Sequence, residues 1–326
     1  MKAVAVAAGV LALGLVLAVL FGSDAAHLAD AVAGRGHARA ILLEVRLPVA
    51  LLAAVAGAGL AVSGAAYQAV LRNPLAEPYV LGVSGGAALG ATAVIALGAQ
   101  ATAGFGLAAL PLAAFVGGLA ATALVDRISR RTSFGASGVT MLLAGVMVNS
   151  IAAALITVGK VIAPPARAKD MLRWLVGFVE LPTASGLIVT SALVGLGSMA
   201  LVREAPLLNL LALGEETAAS LGVDVARLER RVVLASSLAI GAIVSVTGLI
   251  GFVGLVVPHA LRRHVGPDHR RLLPLAALLG AAMLVYCDLA SRVAFGWFDT
   301  KLPVGAVTAL LGGPLFLRLL ARRRLG

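Results

Sequence analysis

Residues 78–125 read PYVLGVSGGAALGATAVIALGAQATAGFGLAALPLAAFVGGLAATALV, 48 residues without one charged side chain. At about 1.5 Å per residue a single helix of that length runs about 72 Å, more than twice the roughly 30 Å hydrocarbon core of a bilayer. One crossing is excluded. The glycine-bearing stretch from Gly98 to Gly106 offers the break, so two membrane helices are expected here. Ahead of the break Gly82, Gly86 and Gly90 recur every four residues. Such a stripe lets a second helix approach closely and reads as packing, not as a nucleotide site.

Working outward, the pattern repeats. The 326-residue chain is 60% hydrophobic and 13% charged, with a mean hydropathy of +1.03, far from the mix of a soluble domain. Single helices are expected at about 3–21, 47–68, 139–159, 183–202, 272–290 and 302–320. The first follows Lys2 and has the length of a full span rather than of a signal peptide's apolar core. The run 232–261 is long for one helix and short for two, and Gly248, Gly251, Gly254 and Pro258 interrupt its second half. A single crossing there would place Arg262, Arg263, Arg270 and Arg271 opposite Arg227, Arg230 and Arg231, against the positive-inside rule. A full helix to about 248 and a short, broken one back to 261 avoid that conflict.

The fold class is therefore an all-α polytopic membrane protein, one domain over 1–326, with about ten transmembrane helices and both termini cytoplasmic. This arrangement puts 17 of the 26 basic residues inside, as orientation by positive charge requires. The net charge of +11 thus reports topology; nucleic acid is not the expected partner. GAGLAVSG (Gly57 to Gly64) and GAIVSVTG (Gly241 to Gly248) fall on helices running in opposite directions. They read as an inverted repeat or as a chance match between two apolar octets.

Several chemistries are missing. A phosphate-binding loop needs GxxxxGK[ST], but Gly159-Lys160 is followed by Val161. The lone cysteine, Cys287, and a solitary His259 after Pro258 supply no metal-ligand spacing. Asp288 and Arg292, four apart on one helix, read as a neutralising pair near the outer surface before they read as a proton relay. An intramembrane enzyme lacks convergent acid, base or metal groups. An ion-coupled secondary transporter, the rival from another class, needs a mid-membrane ion site.

The longest cytoplasmic segment, REAPLLNLLALGEETAASLGVDVARLERR (203–231), exceeds a turn. Gly214 and Gly222 bracket a short helix with Glu215 and Glu216 in its first turn, where the helix dipole favours negative charge. So short a helix does not hold alone in water. It packs on its own bundle or docks into a partner.

Five ordered blocks carry a family resemblance: RNPLAEPYVLGVSGGAALGA (72–91), LGEETAASLGV (213–223), TGLIGFVGLVVPHALRR (247–263), DHRRLLPLAALLGA (268–281) and KLPVGAVTALLGGPLFLRLL (301–320). Together they resemble the FecCD-type permeases, the family of vitamin B12, ferric-siderophore and haem importers, from about Glu44 to the C-terminus. The resemblance implies a type II ABC importer permease in a bacterial inner membrane. Two copies of the chain would join two ATP-binding subunits and an extracytoplasmic substrate-binding protein. No cofactor or metal is implied on this chain, ATP and Mg belonging to the partner subunit. The cargo implied is an iron chelate, with cobalamin as the alternative.

By position, the resemblance assigns ATPase coupling to Gly214, Glu215, Glu216, Thr217, Ala218, Leu221, Gly222 and Arg227. It assigns the cytoplasmic gate to Asn73, Pro74, Leu75, Ser137 and Gly138, and binding-protein docking to Arg46 and Arg292. Two departures stand out. Val49 follows the Leu-Pro of EVRLP where the family commonly has an arginine, and Lys301-Leu302-Pro303 stands where Glu-Leu-Pro is usual.

Overall fold

The structure is a computed structural model and describes residues 2–22, 38–98, 106–131, 138–295 and 300–321. Among these the chain is helical without a strand. In order come α1 (Lys2–Leu20), α2 (Leu47–Val70), α3 (Val83–Leu97), α4 (Ala109–Arg131), α5 (Gly138–Ile162), α6 (Pro165–Val176) and α7 (Ala184–Arg203). Then follow α8 (Ala205–Leu211), α9 (Glu215–Ser220), α10 (Val225–Thr247), α11 (Val253–Val265), α12 (His269–Val293) and α13 (Val304–Ala321). A π-helical turn, Ile41–Arg46, leads into α2, and a 3-10 turn, Pro78–Leu81, precedes α3.

Among the described residues, seven helices are long and apolar enough to cross a membrane: α1, α2 with its leading turn, α4, α5, α7, α10 and α12, with α3 and α13 as shorter apolar helices. Their ends carry local stop and start chemistry. Thr183, Asp224 and Asp268 each accept a backbone N–H at the start of α7, α10 and α12, satisfying donors that a helix start leaves without a partner.

Helix α2 is the axis of the bundle. Its span is 78% buried inside the protein, against 17% for α1 and 22% for α7, which leaves the latter two facing outward. It packs along α12, where the backbones come so close that a Cβ on Gly57 would lie 2.2 Å from the Gly280 carbonyl oxygen. Helices α3 and α4 cross in the same way, with Gly86 against Gly117 and Gly90 against Ala113. In lipid, where no hydrophobic drive pushes helices together, such close packing is what holds them. Two glycines of the expected stripe thus serve packing. Gly82 does something else, taking φ +90° where the 3-10 turn passes into α3.

The run 78–125 holds two helices, α3 ending at Leu97 and α4 beginning at Ala109, with 99–105 of the expected break outside the described residues, and the run 232–261 is broken between Thr247 and Val253. Two helices were not anticipated. PARAKDMLRWLV (165–176) is too charged to read as a span and forms α6, and APLLNLL (205–211) forms α8 ahead of the short α9.

Candidate functional site: the coupling segment, the turn after α2 and the broken helix

Helix α9 has six residues and sits between Gly214 at φ +116° and Gly222 at φ +85°. Its only buried residue is Ala218. The Val223 N–H donates to the Ala218 carbonyl at 3.0 Å and the Gly222 N–H to that of Ala219 at 2.9 Å, which closes the last turn. Glu216, Thr217, Leu221 and Gly222 are exposed. Leu213 and Leu221, 63% and 57% exposed, flank the helix and present apolar surface outward. Arg227 is exposed as well and pairs with Asp224 at 3.2 Å.

Glu215 is the member of this segment that reaches back to the bundle. It pairs with Arg72 at 2.5 Å, and Arg72 immediately precedes Asn73-Pro74-Leu75. The turn is tightly made. Arg72 is at φ +46°, a region that non-glycine residues seldom adopt. The Asn73 side chain accepts the Leu75 N–H at 2.9 Å, an Asx turn. Residues from two of the three sequence-assigned groups are thereby brought close, the short helix α9 against the turn.

From the turn the contacts continue inward to the break between α10 and α11. Glu77 Oε1 accepts the Phe252 N–H at 2.8 Å, and Phe252 is at φ +70°. Tyr79 Oη accepts the Ile250 N–H at 3.0 Å and donates to its carbonyl at 2.8 Å. The Tyr79 carbonyl in turn accepts from Ser84 Oγ and Asn149 Nδ2, both at 3.0 Å. Gln68 donates to the carbonyls of Gly254 and Leu255, and Arg262 donates to Gln68 Oε1 at 2.6 Å. Backbone freed by the break is thus bonded by side chains from the α2 side, as non-helical backbone at membrane depth demands. Sequence reading missed Glu77, Tyr79 and Gln68; the signal was two polar residues and a tyrosine beside a proline turn in an otherwise apolar stretch.

Helix α8 is fastened to the start of α12. Asn209 accepts the His269 N–H at 2.8 Å and donates to Asp268 at 2.6 Å. That bond and the Arg270 N–H hold the Asp268 carboxyl below the ordinary carboxylate range.

Arg46 and Arg292, the two arginines assigned to docking, are 4% and 8% exposed in the chain by itself. Arg46 donates to the carbonyls of Val19 and Leu20, and Arg292 to that of Ala18. The physical reason is that the C-terminal end of α1 leaves carbonyls without helical partners, and both guanidiniums cap them. Arg292 also pairs with Asp288 at 2.9 Å, the neutralising i,i+4 pair expected. Lys301 approaches the other Asp288 oxygen at 3.6 Å and donates to the Val179 carbonyl at 2.6 Å. The lysine in place of the usual glutamate therefore faces a buried carboxylate, which a second acid would repel.

Of the remaining gate assignments, Gly138 begins α5 and Ser137 lies outside the described residues. His259 is buried with its ring edge-on to Phe316 at 5.6 Å. No group of three metal-binding side chains occurs among the described residues.

A bundle of apolar helices with a broken stretch of backbone bonded inside it and a small, mostly exposed helix tied to it is a multi-pass membrane protein. The chain belongs to the FecCD transport family, whose model matches residues 10–322. It is 40% identical over 285 residues to the hemin transport system permease of Yersinia pestis, covering 87% of this chain and 84% of that one. It is 41% identical over 286 residues to the cobalamin import system permease of Halobacterium salinarum, covering 88% and 74%. Among solved structures it superposes with a TM-score of 0.87, at 30% identity and over 98% of this chain and 99% of the other, on an inward-facing conformation of a metal-chelate type ABC transporter.

Proposed function

We propose that this chain is the transmembrane subunit of an ATP-driven importer that moves an iron chelate, a ferric siderophore or haem, into the cytoplasm. Cobalamin is the second reading, supported equally by relatives named for its import. In this reading two copies of the chain assemble with two ATP-binding subunits, which hold ATP and Mg, and with an extracytoplasmic binding protein in a bacterial inner membrane. The chain crosses ten times as α1, α2, α3, α4, α5, α7, α10, α11, α12 and α13, with both ends in the cytoplasm. Helices α2 and α10 belong to opposed halves of an inverted repeat.

The Arg72–Glu215 pair carries the mechanical part of the proposal. Helix α9, with Leu213 and Leu221 exposed on either side, is the element that docks into the ATP-binding subunit. Displacing it pulls on Arg72, hence on the Asn73–Leu75 turn, and through Glu77 and Tyr79 on the break at 248–252. The permease then switches between two arrangements of packed helices.

The test is uptake into proteoliposomes that hold the chain with its ATP-binding subunit and binding protein, offered ferric siderophores, haemin and cyanocobalamin in turn. ATP-dependent accumulation of one chelate supports the reading. Uptake that ignores ATP but stops when the proton gradient is collapsed replaces it with an ion-coupled carrier.

A further inference from the structure

Between α3, α5 and α6 lies a cavity of about 380 Å³, within the roughly 300–1,000 Å³ range of small-molecule sites. Its lining includes Ala88, Ile156, Leu175 and Leu249, together with the polar residues Ser84, Asn149, Thr157 and Lys160. Three of those polar side chains are committed to backbone. Ser84 donates to the Tyr79 carbonyl, Thr157 to that of Ala153, and Asn149 accepts the Gly85 N–H while donating to Tyr79.

Lys160 differs. It sits in the last turn of α5 and is half-buried, with no hydrogen bond or ion pair among the described residues. Its neighbours Val161 and Ile162 are 81% and 78% exposed, so the outward face of this turn is apolar, while Lys160 is one of the residues that line the cavity. No acidic residue is in the lining. A cation beside an apolar wall, with no acid in the lining, offers a charge-assisted bond to an anionic ligand.

We infer that this cavity is a cargo station selective for a chelate that carries a carboxylate, with Lys160 supplying the counter-charge and the apolar wall the bed. The inference rests on the importer reading and narrows it, favouring an acidic iron chelate over one rimmed by neutral amides. Leu249 lies next to Ile250, which Tyr79 holds, so the same hydrogen bonds that run from the turn after α2 reach the cavity wall.

The experiment uses the assembled complex in proteoliposomes. Haemin, with two free carboxylates, and haemin dimethyl ester, with none, are titrated against intrinsic tryptophan fluorescence; Trp174 lies on α6, next to Leu175 of the lining. For Lys160→Gln the haemin Kd rises about tenfold, the size of one lost charge-assisted bond. Lys160→Arg stays close to wild type, and the ester is indifferent to either change. Unchanged haemin affinity in Lys160→Gln, an equal loss for the ester, or no haemin binding to wild type overturns the inference. So does an effect confined to thermal stability in phosphatidylglycerol vesicles, which assigns Lys160 to a lipid headgroup. ATP-dependent uptake, measured on the same vesicles, separates the two levels. Uptake of cyanocobalamin alone sinks this inference and leaves the importer reading standing, whereas ATP-dependent uptake of no chelate sinks the importer reading itself.

Discussion

Tyr79 Oη bonds both main-chain groups of Ile250, accepting from its N–H at 3.0 Å and donating to its carbonyl at 2.8 Å, across 171 residues of sequence. One hydroxyl thereby satisfies a donor and an acceptor that the break between α10 and α11 frees from helical pairing. Helix α11, with 13 residues, rises about 20 Å, short of a roughly 30 Å hydrocarbon core. The break frees these groups inside the helix bundle, where an unpaired peptide group is expensive.

Replacing Tyr79 by Phe keeps the ring and deletes both bonds. The expected loss is about 1–3 kcal/mol of stability, the cost of leaving a buried partner unsatisfied, read as a lower melting temperature in nanodiscs. ATP-driven uptake falls with it, because the turn after α2 no longer grips the break.

Arg72 and Glu215 behave oppositely. Their side chains are 46% and 36% exposed, so the pair adds about 0–1 kcal/mol to stability. Arg72→Glu or Glu215→Arg alone leaves the melting temperature unchanged but lowers cargo moved per ATP hydrolysed. Exchanging both residues restores it. High salt weakens coupling in wild type by screening the pair.

The Asp288 side chain is 0% exposed between Arg292 and Lys301. Asp288→Asn leaves the Arg292 side chain, 9% exposed, without its counter-charge and is expected to cost about 3–5 kcal/mol. Adding Arg292→Leu recovers part of that loss. Thermal unfolding of the single and double variants checks the order.

Gly86→Leu places a side chain where a Cβ alone would lie 2.2 Å from the Gly117 carbonyl oxygen. Helices α3 and α4 then have to separate, and little folded protein is expected by size-exclusion chromatography. Gly159→Ala, whose Cβ would meet nothing within 4 Å, is the matched control and elutes as wild type.

The cap on α12 sets a pH expectation. Asp268 is held below the ordinary carboxylate range by Asn209 and the Arg270 N–H. A folded-state pKa below the unfolded one means that its stabilisation is present above the unfolded value and lost as pH falls through the folded one. Melting temperature should therefore be insensitive to this group from neutral pH down to about pH 5, and Asp268→Asn should remove its contribution across that whole window.

Composition and helix spacing make the membrane class, the two helices of 78–125, the broken stretch after Gly248 and the short helix between Gly214 and Gly222 legible in the sequence itself. These are local properties. A helix in lipid satisfies its own backbone, so the length and polarity of each run decide whether and where it crosses. Helix α6 is legible in principle, from Pro164-Pro165 to Gly177, but its charges set it outside the apolar runs that mark spans.

Other features required the tertiary structure. The burial of Arg46 and Arg292 depends on where α1 ends, and the choice of lysine at 301 on a carboxylate 13 positions earlier that it meets only in three dimensions. The grip of Tyr79 on Ile250 and the tie from Arg72 to Glu215 join residues 171 and 143 apart. No periodicity encodes such pairs. Sequence alone determined which segments are helices in lipid and the family they resemble. The packing of α2 against its neighbours decided which polar groups face one another, because a buried polar atom takes its role from the partner that the fold brings to it.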